Sequence, residues 1–323
     1  MTAWPVLSLT IGVVAAGTMG FAIQRGATCM VAAMEEVVER RRFNRLVAIL
    51  EASLIVAFGL ALAKSTGLLA HEPSGWQASW WSVAGGVLLG LGAFVTRACV
   101  FGAIARLGSG EWAYLAVPPG YFAGCLLAGL LLAGMHPSAS AAISPVLALA
   151  SIVLVPLGAF ALWRAAAVVR ATRRGMLADH LWSPHVATSM IGLAFVVLLL
   201  ARGPWSYTEA LADAARGMTS MTGPRVLLFL ALFGGALTGG WTAGRLMPRR
   251  PTVAAVGRCL AGGALMGVGS TLVPGSNDGL LLVGLPLLQP HAYLALGSMA
   301  ASIALAMSIR RLGSPMADRP RMA

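Results

Sequence analysis

The sequence is short of charge. Only 11% of its 323 residues are Asp, Glu, Lys or Arg, while 58% are hydrophobic and the mean hydropathy is +0.81. Soluble domains carry about 25% charged residues. There is too little charge here to coat a soluble surface, so lipid must be the solvent for most of the chain. Acid is the scarcer sign: 11 Asp and Glu face 23 Lys and Arg, a net charge of +12. That excess does not point to nucleic acid, because the basic residues sit in short connections between apolar stretches, as the positive-inside rule requires. Cysteine is sparse too. Cys29, Cys99, Cys125 and Cys259 form no CxxC, which excludes a disulfide framework or a zinc site. His71, His136, His180, His185 and His291 are scattered without metal-ligand spacing. No GxGxxG, Walker or HExxH motif occurs, so neither an enzyme nor a cofactor is expected. Met1 to Pro5 lack a basic n-region and do not read as a cleaved signal peptide.

What the chain does have is long apolar runs. A helix needs about 20 apolar residues to cross the hydrocarbon. Nine spans are expected, over 4–22, 44–64, 80–96, 112–134, 144–163, 186–202, 225–247, 253–271 and 290–310. Segments 24–42, 97–110, 203–222 and 272–289 mix Gly, Pro, charge and short apolar runs and read as re-entrant or interfacial; 205–221 in particular reads as an outer amphipathic helix. The expected fold class is therefore an all-α integral membrane protein of about nine transmembrane helices with short re-entrant segments. Of the 23 Lys and Arg, 19 follow odd-numbered spans; only Lys64, Arg202, Arg216 and Arg225 follow even ones. This asymmetry puts the C-terminus in the cytoplasm and the N-terminus outside. Arg40, Arg41 and Arg42 read as headgroup anchors, with Glu35, Glu36 and Glu39 able to pair with them on one helix face.

Sliding the chain against itself by 177 residues superposes Ala84-Gly85-Gly86 on Ala261-Gly262-Gly263, and Leu88, Gly90, Gly92 and Gly102 on Leu265, Gly267, Gly269 and Gly279. Arg25-Gly26 falls on Arg202-Gly203 without a gap. The offset relates spans one to four to spans six to nine. The single span between them would invert the second copy, the two-inverted-repeat architecture of many transporters, with the substrate near the repeat interface. The expected organisation is a first repeat over 1–143, a linking helix and cytoplasmic loop over 144–185, a second, inverted repeat over 186–312, and a flexible cytoplasmic tail over 313–323.

The same offset sets Cys29 on Ser206 and Cys99 on Ser276, so that the first half presents thiols where the second presents hydroxyls. Short helical stretches follow both cysteines, which places each at a half-helix N-terminus, where free N–H groups and a partial positive charge attract anions. Arg25 and Arg97 lie nearby and add full charges. A thiol is a weak, polarizable contact suited to a sulfur-containing anion that must bind loosely. Cys125 and Cys259, inside apolar spans without a partnered motif, read as small buried residues. In Val273-Pro274-Gly275-Ser276-Asn277-Asp278-Gly279 the helix is interrupted. Such a break lines a cavity if it lies at membrane depth, which would make Asp278 functional; otherwise it is an exposed outer turn capping the next helix.

Gly20-Phe21-Ala22-Ile23-Gln24-Arg25-Gly26 with Cys29, Gly90 to Cys99, and Gly267 through Pro274-Gly275-Ser276-Asn277-Asp278-Gly279-Leu280-Leu281-Leu282 resemble the YeeE/YedE family of membrane transporters for sulfur compounds, over nearly the whole chain. The resemblance implies uptake of thiosulfate or a related sulfur anion across the bacterial inner membrane. It implies central cysteines, here Cys29 and Cys99, that pass the anion by weak S–H···S contacts. It also implies, for some members, a cytosolic TusA-like sulfur carrier as partner. A third family cysteine is replaced here by Ser276, which widens the substrate to a more oxygen-rich anion. The expected pathway runs from Ser276, Asn277, Asp278 and Ser206 outside to Cys99 and Cys29 inside. The alternatives are a transporter of another sulfur, selenium or oxyanion species, or a membrane sulfurtransferase carrying a persulfide.

Overall fold

A computed structural model of the protein describes residues 3–27, 29–69, 72–73, 75–132, 139–140, 144–175, 179–203, 205–217, 223–273 and 275–313. His71, His136, Pro274 and the tail beyond residue 313 lie outside them. The chain is helical almost throughout; the only strands among the described residues, β1 (Gly75–Trp76) and β2 (Ala139–Ser140), form one two-residue antiparallel pair.

The first part of the chain reads long, short, long, long, short, long: α1 (Ala3–Gly26), α2 (Met30–Arg40), α3 (Asn44–Ser65), α4 (Trp80–Thr96), α5 (Val100–Gly108) and α6 (Val117–Leu131), the last entered through a 3-10 turn at Trp112–Ala116. A short α7 (Pro145–Ala148) and the long α8 (Ala150–Arg173) follow. The order then recurs: α9 (Pro184–Arg202), α10 (Tyr207–Ala215), α11 (Gly223–Thr242), α12 (Val253–Leu272), α13 (Ser276–Gly279) running into a π turn at Leu280–Gly284, and α14 (Pro290–Gly313). Among the described residues, nine helices are long and apolar enough to span a membrane, the first of these stretches covering α1 and α2 together.

The packing follows the same order. α1 packs on α11 and α3 on α9; α4 packs on α14 and α12 on α6; α1 meets α9, and α4 meets α12. Replacing each helix by the one 177 residues away returns the same set of pairs. α8 stands outside the set, against α3 and α9. Small residues let these helices touch. A Cβ on Gly20 of α1 would overlap the Leu232 carbonyl of α11, and one on Gly267 of α12 would overlap the Tyr121 carbonyl of α6.

Two spans end elsewhere than the sequence suggests. The fifth runs from Ala150 to Arg173 rather than over 144–163, because Arg164 does not stop it. Arg164 is buried: its guanidinium meets Glu51 of α3 at 3.1 Å and donates to Ser189 Oγ of α9 at 2.9 Å, while His185 Nδ1 lies 2.9 Å from the same Glu51 carboxylate. A charge paired inside the fold does not terminate a helix as a solvated one would. The seventh span ends at Thr242 instead of 247, where the chain turns through Gly244 at φ +63°. The outer amphipathic helix expected over 205–221 is the shorter α10, and it lies within the fold: Tyr207, Thr208, Ala210 and Ala212 are buried, against α6 and α13 among others.

Candidate functional site

The interruptions between long and short helices converge. α1 stops at Gly26, the backbone turns through Ala27 at φ +44°, and Cys29 takes the extended conformation that N-caps α2, its Sγ accepting from the Ala32 N–H at 3.3 Å. α4 stops at Thr96, Arg97 turns left-handed at φ +58°, and Cys99 N-caps α5. The released Thr96 carbonyl is taken up by the Tyr114 hydroxyl at 2.8 Å. Backbone freed at depth in a membrane needs such partners.

The two caps bring their thiols together. Cys29 and Cys99, both buried, are neighbours. Backbone N–H groups of Val31, Ala32 and Cys99 approach the Cys29 sulfur, and those of Met30 and Gly102 approach the Cys99 sulfur. The pair therefore sits where the N-terminal ends of α2 and α5 meet, inside the partial positive charge of both. Gly102 makes the approach possible: a Cβ there would lie 2.9 Å from Cys29 Sγ and 3.1 Å from Ala98 Cβ. Both cysteines are free.

The second half builds a hydroxyl and carboxyl cluster at the equivalent breaks. Gly275 at φ +99° opens α13, whose Ser276, Asn277 and Asp278 are all buried, which removes the exposed-turn reading. Asp278 Oδ1 accepts from Ser276 Oγ at 2.8 Å, from the Gly279 N–H at 3.1 Å and from the Thr208 hydroxyl; Oδ2 accepts from the Thr208 N–H at 3.4 Å. The Thr208 and Ser276 hydroxyls are 2.6 Å apart. Burial pushes the Asp278 carboxyl above the usual range, and the Thr208 and Ser276 hydrogen bonds pull against it. Both amide atoms of Asn277 are buried without a hydrogen-bond partner among the described residues. The Tyr121 hydroxyl of α6 lies beside Ser270 and Ser276, and Cys125 Sγ is 3.6 Å from Ser270 Oγ. The Tyr207 ring packs edge-on against the stacked Phe229 and Phe233, and its hydroxyl donates to the Val100 carbonyl at 3.2 Å and so ties α10 to the first turn of α5.

Not every expected residue joins these clusters. Ser206 is buried but caps its own helix, accepting from the Glu209 N–H at 3.4 Å; its neighbour Thr208 is the residue that reaches Ser276. Arg25 is buried, but its guanidinium donates to the Asp179 carbonyl and to Thr242 Oγ1 at 2.9 Å and lies over Phe21, joining α1 to the loop before α9 and to α11. Arg97 is exposed. Cys259 is buried on α12. Thr208, Tyr121, Tyr207 and Glu209 carry no signal in the sequence, since each is recognisable only by what lies across from it. Among the described residues no group of three or more His, Cys, Asp or Glu could hold a metal.

No curated protein matches the sequence. A family model described as Sulphur transport matches residues 25–305, a stretch that contains the paired thiols, the hydroxyl–carboxyl cluster and all the spans except most of the first and the end of the last. With its nine apolar helices, the chain belongs to this family of sulfur-compound transporters, the YeeE/YedE family.

Proposed function

We propose that the protein takes up thiosulfate, or a closely similar sulfur anion, through the centre of two inverted repeats, in the bacterial inner membrane with the N-terminus outside and the C-terminus in the cytoplasm. The observation that carries this reading is the thiol pair: Cys29 and Cys99 meet at two helix N-termini, with backbone N–H groups pointed at both sulfurs. Two positive helix ends attract an anion, and two thiols, while they keep their protons, give its sulfur weak, reversible contacts. The thiols must stay protonated, since a thiolate would repel the cargo. The recurrence of helix order and packing pairs at one offset supports the repeats, and one span between them, α8, inverts the second.

The anion meets Ser276, Asn277 and the Thr208–Asp278 cluster first, then Cys99, then Cys29. Moving a dianion inward against 100 mV costs about 2 × 2.3 kcal/mol, so inward movement depends on consumption inside or on a coupled ion. A TusA-like carrier receiving sulfur at the Arg-rich inner loops would supply the first. Ser276 where the family carries cysteine favours a second reading, an anion richer in oxygen, because hydroxyls donate more strongly than thiols. Uptake of labelled thiosulfate by vesicles, competed with unlabelled sulfate and selenate, separates the two. Competition by thiosulfate alone supports the first reading, and stronger competition by sulfate or selenate replaces it with the second.

A further inference from the structure

Beside the hydroxyl–carboxyl cluster lies a cavity of about 230 Å³ that the pathway above does not use. Glu209, Arg216, Gly275, Gly279, Gln289 and His291 are among its lining residues, with Trp76 of β1. At about 30 Å³ per water this is room for a small inorganic solute and its hydration, below the usual range of organic ligand pockets. By the charge asymmetry of the loops, the side bearing Trp76 faces outside.

The net charge of the cavity depends on Glu209. Glu209 is half-buried, and its carboxyl lies beside the Gly279 backbone: a Cβ on that glycine would sit in ordinary contact, 3.7 Å from Glu209 Oε2. The titratable and charged groups around it are Asp213 and Arg216 on its own helix and turn, Asp278 on α13 and His291 on α14, and α6, which packs on α10, carries Tyr121 and Cys125. Arg216 is 3.6 Å from Asp213, and Glu72 of the outer loop is engaged with Lys64. Burial, then Asp278, then Asp213 push the Glu209 carboxyl up to about 7. Ionised, it faces any arriving anion with a like charge; protonated, it becomes a donor beside Arg216.

In the neighbouring cluster the hydroxyls of Ser276 and Thr208 have one hydrogen each, and both stay within it, on Asp278 Oδ1 or between the two oxygens, so it is Glu209, when protonated, that adds a donor to the cavity beside Arg216.

We propose that this cavity is the outer binding site, that it takes its anion together with a proton, and that Glu209 carries the proton. The inference rests on the sulfur-anion reading and deepens it by naming the coupled ion. Co-entry of one proton with a dianion halves the charge moved against an inside-negative potential.

The test uses the full chain reconstituted in liposomes, with labelled thiosulfate outside, the potential clamped at zero and a pH indicator inside. A group titrating at about 7 is protonated about tenfold more often at pH 6 than at pH 8. Uptake at external pH 6 is therefore expected to be about tenfold that at pH 8, with the interior acidifying by about one proton per anion; thiosulfate itself is ionised at both pH values. Glu209→Gln, permanently neutral, should bring the two rates within about twofold and abolish the acidification. Equal parental uptake at both pH values, or uptake without acidification, overturns the proposal, and so does a tenfold pH ratio retained in Glu209→Gln. If that variant does not fold, the parent's pH ratio and acidification decide. No parental uptake at either pH brings down the thiosulfate reading first and this inference with it, which distinguishes the two failures.

Discussion

Gly102→Ala would insert a single methyl between the thiols' supports. Carbon contacts are comfortable at about 3.5–4.0 Å, and the new Cβ would stand 2.9 Å from Cys29 Sγ and 3.1 Å from Ala98 Cβ. The sulfur must retreat by several tenths of an ångström or more, breaking its approach to Cys99. Overpacking of this kind costs about 1–3 kcal/mol, and the better helix propensity of Ala returns up to about 1 kcal/mol, so the fold survives with a modestly lowered melting midpoint. Loss of a contact worth about 1 kcal/mol at the point of handover lowers uptake about fivefold. The control is Gly297→Ala on α14, where a Cβ meets nothing within 4 Å; its uptake should match the parent's, and its stability should be no lower and up to about 1 kcal/mol higher. Labelled thiosulfate uptake at matched membrane expression, with melting curves of the purified proteins, reads both quantities. Parental uptake and stability in Gly102→Ala would mean that the Cys29 sulfur is not fixed against α5.

Other perturbations test the supports of the site. Glu51→Gln leaves the buried Arg164 without its carboxylate and should destabilise the protein by about 3 kcal/mol; replacing Glu51 and Arg164 together by Met should recover most of that loss in a thermal melt. Thr208→Val removes a hydroxyl that donates to the buried Asp278 carboxylate, at a cost of about 1.5–3 kcal/mol, and an unchanged melting midpoint would contradict the hydrogen-bond pattern. Tyr207→Phe removes only the bond to the Val100 carbonyl, costs about 1 kcal/mol, and should lower uptake less than either cysteine substitution does.

The fold was largely legible because lipid leaves few solutions: apolar length gives the spans, and Arg position gives the breaks between them. Where legibility failed, tertiary pairing was the cause. Arg164 looks like a helix end until Glu51 and Ser189 are seen beside it. Cys29 and Cys99 could be singled out by the repeat, since the offset ties both to serines at the equivalent breaks. The offset could not say which α10 hydroxyl faces Ser276. Ser206 turns back to cap its own helix, and Thr208, two residues on, takes that place. Arg25 and Arg97 lie near the thiols in sequence, but the left-handed turns that end α1 and α4 separate a residue's place in sequence from the direction of its side chain.

The central claim is that the two thiols hand an anion inward. The most direct measurement is labelled thiosulfate uptake in a bacterium stripped of its other sulfate and thiosulfate importers, comparing the parent with Cys99→Ala and Cys29→Ala at equal membrane abundance. Uptake is expected in the parent and is lost in both variants. Uptake in the variants equal to the parent's would contradict the claim.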